Sequence, residues 1–172
     1  MKVSELLTFV LVVSAVAAGA EPSDQNLARH LVSRAGFRRG ICAIPRCGNG
    51  ELATAVAESS GFLVHAQDHS PSSVAAAKEA ADRKGLLGHG VIVEKGTLSR
   101  LPYADNTVDL ILIADLADGA LSDVSVSEML RVLRPLGKAI VGRSAGRTGN
   151  LTPQRLEQWL SGEDTQRANS GL

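Results

Sequence analysis

Apolar positions along this chain fall into two alternating patterns, one recurring every three or four residues and one forming short continuous runs. Leu27, Ala28, Leu31, Val32 and Ala35 share a helical face, with Ser23 or Asp24 as cap and Gly36 as stop. This helix is expected across the end of a sheet or over a ligand cleft. Residues 40–44 form a short run apolar on both faces, as a central parallel strand requires. The run breaks into Cys47-Gly48-Asn49-Gly50, and Asn49 is placed to cap the next helix, which carries Leu52, Ala53, Val56 and Ala57. Gly61 starts a second strand over 62–66, with Asp68 at its carboxyl end. Ser70 and Pro71 then supply the N-cap and first residue of a helix carrying Val74, Ala77 and Ala81, with Gly85 as its stop. Residues 91–94 and 108–113 read as the third and fourth strands. Val126, Leu130 and Leu133 make a helical face ending at Pro135, and residues 138–141 begin a fifth strand. Thr152-Pro153 opens a last helix with Leu156, Trp159 and Leu160 inward.

Strands alternating with helices at this spacing predict βαβ units and an α/β, doubly wound parallel sheet with right-handed crossovers. Three segments divide the chain: a signal peptide over 1–20, one domain over 21–160 and a polar tail over 161–172, expected to be disordered. Lys2, the apolar run 6–16 and the small residues Ala18-Gly19-Ala20 support export with cleavage after Ala20. An uncleaved anchor is the competing reading, although the run falls short of the ~20 residues that span a bilayer. No later stretch is apolar enough to cross a membrane.

Composition narrows the partners. Aromatic residues are only 3% of the chain, so the core is built from Val, Leu, Ile and Ala. Lys and Arg balance Asp and Glu at 18 each, with no basic stripe, which argues against a sequence-independent grip on nucleic acid or anionic lipid. Cys42 and Cys47 flank a strand end whose direction holds them apart, predicting two free thiols, and they lack zinc spacing.

Candidate chemistry gathers at the glycine turn. Gly48-Asn49-Gly50-Glu51-Leu52-Ala53 fits G-x-G-x-x-A, and Asp68 follows where a dinucleotide-binding unit places its ribose-binding acid. A carboxylate there can accept hydrogen bonds from both ribose hydroxyls. The turn alone fits a nicotinamide-binding unit equally well.

The stretches VHAQDHSPSSVAAAKEAA, LPYADNTVDLILIADL and EMLRVLRPLGKAIVG separate the two cofactors. In order and spacing they resemble the successive motifs of class I S-adenosylmethionine-dependent methyltransferases of the small-molecule type, over about residues 38 to 160. The resemblance implies a Rossmann-like sheet of order 3-2-1-4-5 and S-adenosylmethionine as cofactor. It implies contacts from Cys47, Gly48, Asn49, Gly50, Asp68, His69, Thr97, Leu98 and Asp115. Pro102, Tyr103 and Asp105 match the segment leading into strand four, Asp109 the acid that opens it, and Pro135 and Gly137 the turn before strand five. Four positions depart from the pattern. Ile44 stands where the first strand usually has an acid, and Arg46 replaces a glycine, entering the cofactor's space unless it swings out or pairs with the cofactor's carboxylate. Thr97 replaces the acid that holds the adenine amino group, and Leu136 a glycine.

Methyl transfer needs a nucleophile in line with the S–methyl bond, and a base where the acceptor must lose a proton. Asp115, Asp118 and His69 are the candidates. The Asn-Pro-Pro-Tyr type segment of nucleic-acid methyltransferases is absent after strand four, which points to a small-molecule acceptor. The family closes its sheet with two further strands, and this chain lacks residues for them. Strand five is therefore expected as an exposed edge, covered by a protein partner or by the rest of a longer exported protein. A non-catalytic ligand-binding or interaction module of the same fold is the alternative.

Overall fold

The computed structural model describes residues 23–114, 116, 123–142, 154 and 159. The expected signal-peptide segment, Asp115, Asp118, most of the expected last helix and the polar tail lie outside them. Nine elements run in order: α1 (Asp24–Ala35), β1 (Arg39–Ile44), α2 (Glu51–Ser59), β2 (Gly61–Asp68), α3 (Pro71–Arg83), β3 (Val91–Lys95), β4 (Val108–Ile113), α4 (Val126–Val132) and β5 (Leu133–Val141). The strands form one parallel sheet of order β3-β2-β1-β4-β5, the Rossmann-like arrangement expected. No helix among the described residues is long and apolar enough to cross a membrane.

Two apolar cores, one on each face, follow from the period-two alternation of the strands. Cys42, Ile44, Val64, Ala66, Leu110 and Leu112 point to one face and pack with α1, α2 and α3. Ala43, Ile111 and Ile113 point to the other, where Leu98, Leu101, Met129 and Val132 cover them and Trp159 packs alongside. Cys42 and Cys47 are both free and buried, as their spacing predicts.

Four local expectations are corrected. Helix α1 lies beside α2 on the first face rather than over the sheet end, because its stripe of Ala28, Leu31, Val32 and Ala35 joins the core containing Leu110, Leu112 and Ile140. The N-cap of α2 is Gly50, in the left-handed region at φ 81°, and Asn49 sits one residue earlier with its Oδ1 accepting from the Glu51 N–H at 3.2 Å. Helix α4 buries Val126, Met129 and Val132 instead of Leu130, and it stops before Leu133 rather than at Pro135. Leu133 already pairs with Val108, so β5 starts five residues earlier than expected and bulges before Lys138 pairs with Leu110. Leu136 sits in that bulge at φ 66°, 70% exposed.

A polar clamp fastens the connection between β3 and β4 to α4. Arg131 donates from Nε to Glu128 Oε1 at 2.7 Å, from Nη1 to the Tyr103 carbonyl at 2.8 Å and Asp105 Oδ1 at 2.7 Å, and from Nη2 to the Leu101 carbonyl at 3.1 Å. Glu128 Oε2 in turn accepts from the Leu101 N–H at 3.0 Å. The matched residues Pro102, Tyr103 and Asp105 thus lie in a strap across the second face. Asp109 is at the amino end of β4, opposite the carboxyl ends where parallel sheets bind ligands. Its Oδ2 accepts from the Ile41 N–H at 2.7 Å, and it forms an ion pair with Arg134.

Two outcomes follow. Arg131 and the Leu101 N–H hold the Glu128 carboxyl down to about 2. A carboxyl depressed on folding stabilises above its unfolded value of about 4.3, and this contribution is lost as pH falls toward about 2. Replacing Glu128 with Gln therefore lowers Tm at neutral pH and flattens its fall over that acid range, as read by circular dichroism melts. Leu136→Gly relieves a left-handed leucine and is expected to raise stability by about 1 kcal/mol in urea titrations. Unchanged or lower stability would show that the bulge holds leucine without strain.

Candidate functional site

The carboxyl ends of β1, β2 and β3 meet at Asp68. Leaving β1, the chain passes through buried Pro45, half-exposed Arg46 and buried Cys47 before turning at 48–50 into α2. The turn closes with the Gly50 N–H donating to the Cys47 carbonyl at 2.9 Å. The Cys47 N–H donates to the Gln67 carbonyl at 2.9 Å, and the Gly48 N–H donates to Asp68 Oδ2 at 3.1 Å. The other carboxylate oxygen, Oδ1, accepts from the Ser70 N–H at 2.9 Å, just before Ser70 caps α3. The Asp68 carbonyl accepts from the Gly96 N–H at 3.0 Å. One residue, only 5% exposed, thus joins three loops.

The two glycines of the turn have different surroundings. At Gly48, φ 55°, an added Cβ would meet nothing within 4 Å, so its backbone faces open space beside Asp68. At Gly50 the same atom would stand 2.6 Å from the Ala77 Cα, so this glycine lets α2 approach α3. Its missing side chain thus serves helix packing.

A cleft of about 290 Å³ opens over these loops, lined by Pro45, Arg46, His69, Gly96, Thr97, Leu98, Ser99 and Asp123. Of the residues expected at a site, His69, Thr97 and Leu98 line it; Asp68 and residues 47–50 are not part of the lining, although Asp68 Oδ1 is 3.4 Å from His69 Nδ1. Thr97 Oγ1 lies 3.2 Å from Ser99 Oγ, and Leu98 anchors the β3 loop in the second core. Asn49 is exposed at the turn. Cys47 is only 6% exposed, and burial, reinforced by Asp68, pushes its thiol up to about 12, so it is a packed thiol at neutral pH. Asp115 and Asp118 fall outside the described residues. No group of three or more potential metal ligands occurs among the described residues.

Sequence reasoning passed over Pro45, Gly96, Ser99 and Asp123 in this cleft. Gly96 had a signal in its place directly after β3: it leaves room for Gln67, whose Nε2 would lie 2.3 Å from an added Cβ. Asp123 comes to the cleft only through the tertiary fold. His65 was also missed. On the second face its Nδ1 lies 2.5 Å from Tyr103 Oη and its Nε2 3.4 Å from Glu94 Oε2. Burial lowers the His65 pKa, opposed by Glu94, and raises that of Tyr103. The trio ties the strap to β2 and β3.

The chain is similar to known proteins over this same region. The family model described as methyltransferase domain matches residues 46–141, beginning at Arg46 and ending with β5. The ubiquinone/menaquinone biosynthesis C-methyltransferase UbiE of Shewanella pealeana is 31% identical over 117 residues, covering 66% of this chain and 46% of that protein. The chain thus spans about half the length of the curated relatives it matches. A solved S-adenosyl-L-methionine-dependent methyltransferase described as putative, from Methanococcus maripaludis, superposes with TM-score 0.60 at 18% identity, covering 91% of this chain and 77% of that one. Geranyl diphosphate methyltransferase, solved in complex with SAM, superposes with TM-score 0.59 at 20% identity, covering 69% of this chain and 48% of that one. These two structural likenesses speak for the fold, whereas the family model covers more than half of the sequence itself. The chain belongs to the methyltransferase-domain family.

Proposed function

We propose that the cleft over Asp68 binds S-adenosylmethionine and that the protein transfers its methyl group to a small-molecule acceptor. The observation that carries this reading is the open backbone of Gly48 beside the buried Asp68 carboxylate, within the stretch matched by the family model. The residues present fit the cofactor. Each Asp68 oxygen accepts one backbone N–H, which leaves lone pairs for ribose hydroxyls. Leu98 offers an apolar wall and Thr97 a hydroxyl to the adenine, and the Gly48 turn gives backbone room to the methionine part. At about 290 Å³ the cleft falls just below the usual range of about 300–1,000 Å³ for small-molecule sites, and Arg46 forms part of its wall.

The bound cofactor supplies an electrophilic methyl group on a sulfonium. The chain's contribution is position: the loops joined at Asp68 form a preorganised floor, and such orientation of reactants accounts for a large share of barrier lowering in group transfer. His69, beside Asp68 and 71% exposed, is the titratable side chain placed to take a proton from an acceptor at the mouth. Asp115 and Asp118 follow β4 in sequence and remain candidates for the same role. The apolar amino terminus supports export, and the place of β5 at the edge of the sheet among the described residues supports a covering protein partner.

Calorimetric titration of the chain with S-adenosylmethionine tests the reading. Binding is expected, and Asp68→Asn, which keeps one acceptor oxygen but loses the charge, is expected to weaken it by about tenfold to a hundredfold. Circular dichroism checks that the variant stays folded. Absence of binding by both the native chain and Arg46→Gly would refute the assignment.

A further inference from the structure

We infer that Arg46 sets the ligand preference of the cleft, favouring adenosyl ligands whose sulfur is uncharged over the sulfonium form. The inference rests on the proposal that the cleft takes S-adenosylmethionine. Arg46 lines the cleft, half-exposed, and forms no hydrogen bond or ion pair with any described residue. Three other arginines are engaged by carboxylates, Arg131 with Glu128 and Asp105, Arg83 with Glu51 and Glu79, and Arg134 with Asp109, whereas Arg46 is set apart by its place in the cleft wall. None of the acids described at the cleft forms an ion pair with Arg46. Asp68 lies beneath, its carboxylate held by the Gly48 and Ser70 N–H groups and close to His69, and exposed Asp123 is beyond ion-pair distance. Ile44, at the end of β1, is 1% exposed and carries no charge. The side chains lining the cleft therefore include a positive charge that is unpaired among the described residues.

S-adenosylmethionine carries a carboxylate, an ammonium and a sulfonium. When the methyl group leaves, the electron pair of the S–C bond stays on sulfur, and S-adenosylhomocysteine keeps only the carboxylate and the ammonium. Arg46 can attract the carboxylate of both ligands alike, so that contact does not separate them. The sulfonium is the difference, and a guanidinium sharing a cleft this small with it lies within the Debye length of about 8 Å at physiological ionic strength. Repulsion of two such charges in a partly solvated site disfavours the sulfonium ligand by about fivefold to tenfold. Arg46 thus acts through the charge on sulfur, as a specificity-determining residue at the end of β1.

Calorimetry with both ligands on the native chain, Arg46→Gly and Arg46→Met tests this directly. Methionine keeps much of the side-chain bulk and removes only the charge. The expected result is tighter binding of S-adenosylhomocysteine by the native chain, a shift of the affinity ratio toward S-adenosylmethionine by about fivefold to tenfold in both variants, and a native ratio that shrinks with added salt. An unchanged ratio in Arg46→Met overturns the inference while leaving the cofactor assignment standing. A common gain for both ligands in Arg46→Gly alone assigns Arg46 a steric role and also overturns it. Failure of all three proteins to bind either ligand overturns the cofactor assignment, and the inference with it.

Discussion

Asp68 is the point on which the carboxyl end of this sheet depends. A buried carboxylate is tolerated only when its oxygens are satisfied, and here two backbone N–H groups from different loops satisfy them. The same residue's carbonyl receives the loop after β3. The turn after β1, the start of α3 and the departure from β3 are thereby fixed relative to one another by one side chain and its own backbone. Removing the carboxylate would leave the Gly48 and Ser70 N–H groups without their partner, so the proposed ligand-binding role is superimposed on a structural one at this position. This is why an amide replacement, which keeps the shape and one acceptor, separates the two roles better than alanine.

The second face is organised on a different principle. Helix α4 is short and the connection from β3 to β4 has no regular structure, so apolar burial alone does not set their register. Arg131 supplies it by donating to two backbone carbonyls and two carboxylates at once, a fork geometry that lysine could not reproduce. His65 adds a second attachment through Tyr103. Together these contacts carry the chain from the carboxyl end of β3 to the amino end of β4 along a single path, which leaves Leu98 and Thr97 at the cleft.

Much of this was legible in the sequence, for reasons that differ between regions. Short apolar runs bounded by glycine or by a cap predict buried parallel strands, and β4 was read to the residue, its start marked by the polar Asn106 and Thr107. Strand β5 was misread at its start because Pro135 and Gly137 look like a helix stop followed by a turn, whereas in the fold they lie in a bulged strand that pairs across the gap. The glycine turn was placed correctly, but the division of labour between Gly48 and Gly50 depends on what α3 brings near each, which periodicity does not record. Asp68 was picked out as an acid at a strand end, while its two backbone donors come from residues 48 and 70 and emerge only when the loops meet. His65 escaped notice because a single histidine within a strand carries no local pattern, and its partners lie on β3 and the strap.

The two ends of the sheet have different tolerances, and this explains how the chain keeps its fold while departing from the family pattern. At the amino end, Asp109 is locked against the Ile41 N–H and paired with Arg134, whose guanidinium also lies 5.4 Å from the centre of the Phe37 ring. Glycine at position 40 is obligatory there, because an added Cβ would stand 2.1 Å from Asp109 Oδ2. At the carboxyl end the loops are joined mainly through backbone groups and Asp68; among the described residues the Arg46 side chain pairs with none, and the Thr97 hydroxyl meets only Ser99 in its own loop. Ile44, in the place where the family usually has an acid, is accommodated by the core on the first face. Substitutions at Arg46 and Thr97 therefore change the charge and shape of the cleft without disturbing the sheet. Retention of the fold consequently says little about the strength of ligand binding, which depends on the few side chains that the fold leaves unconstrained.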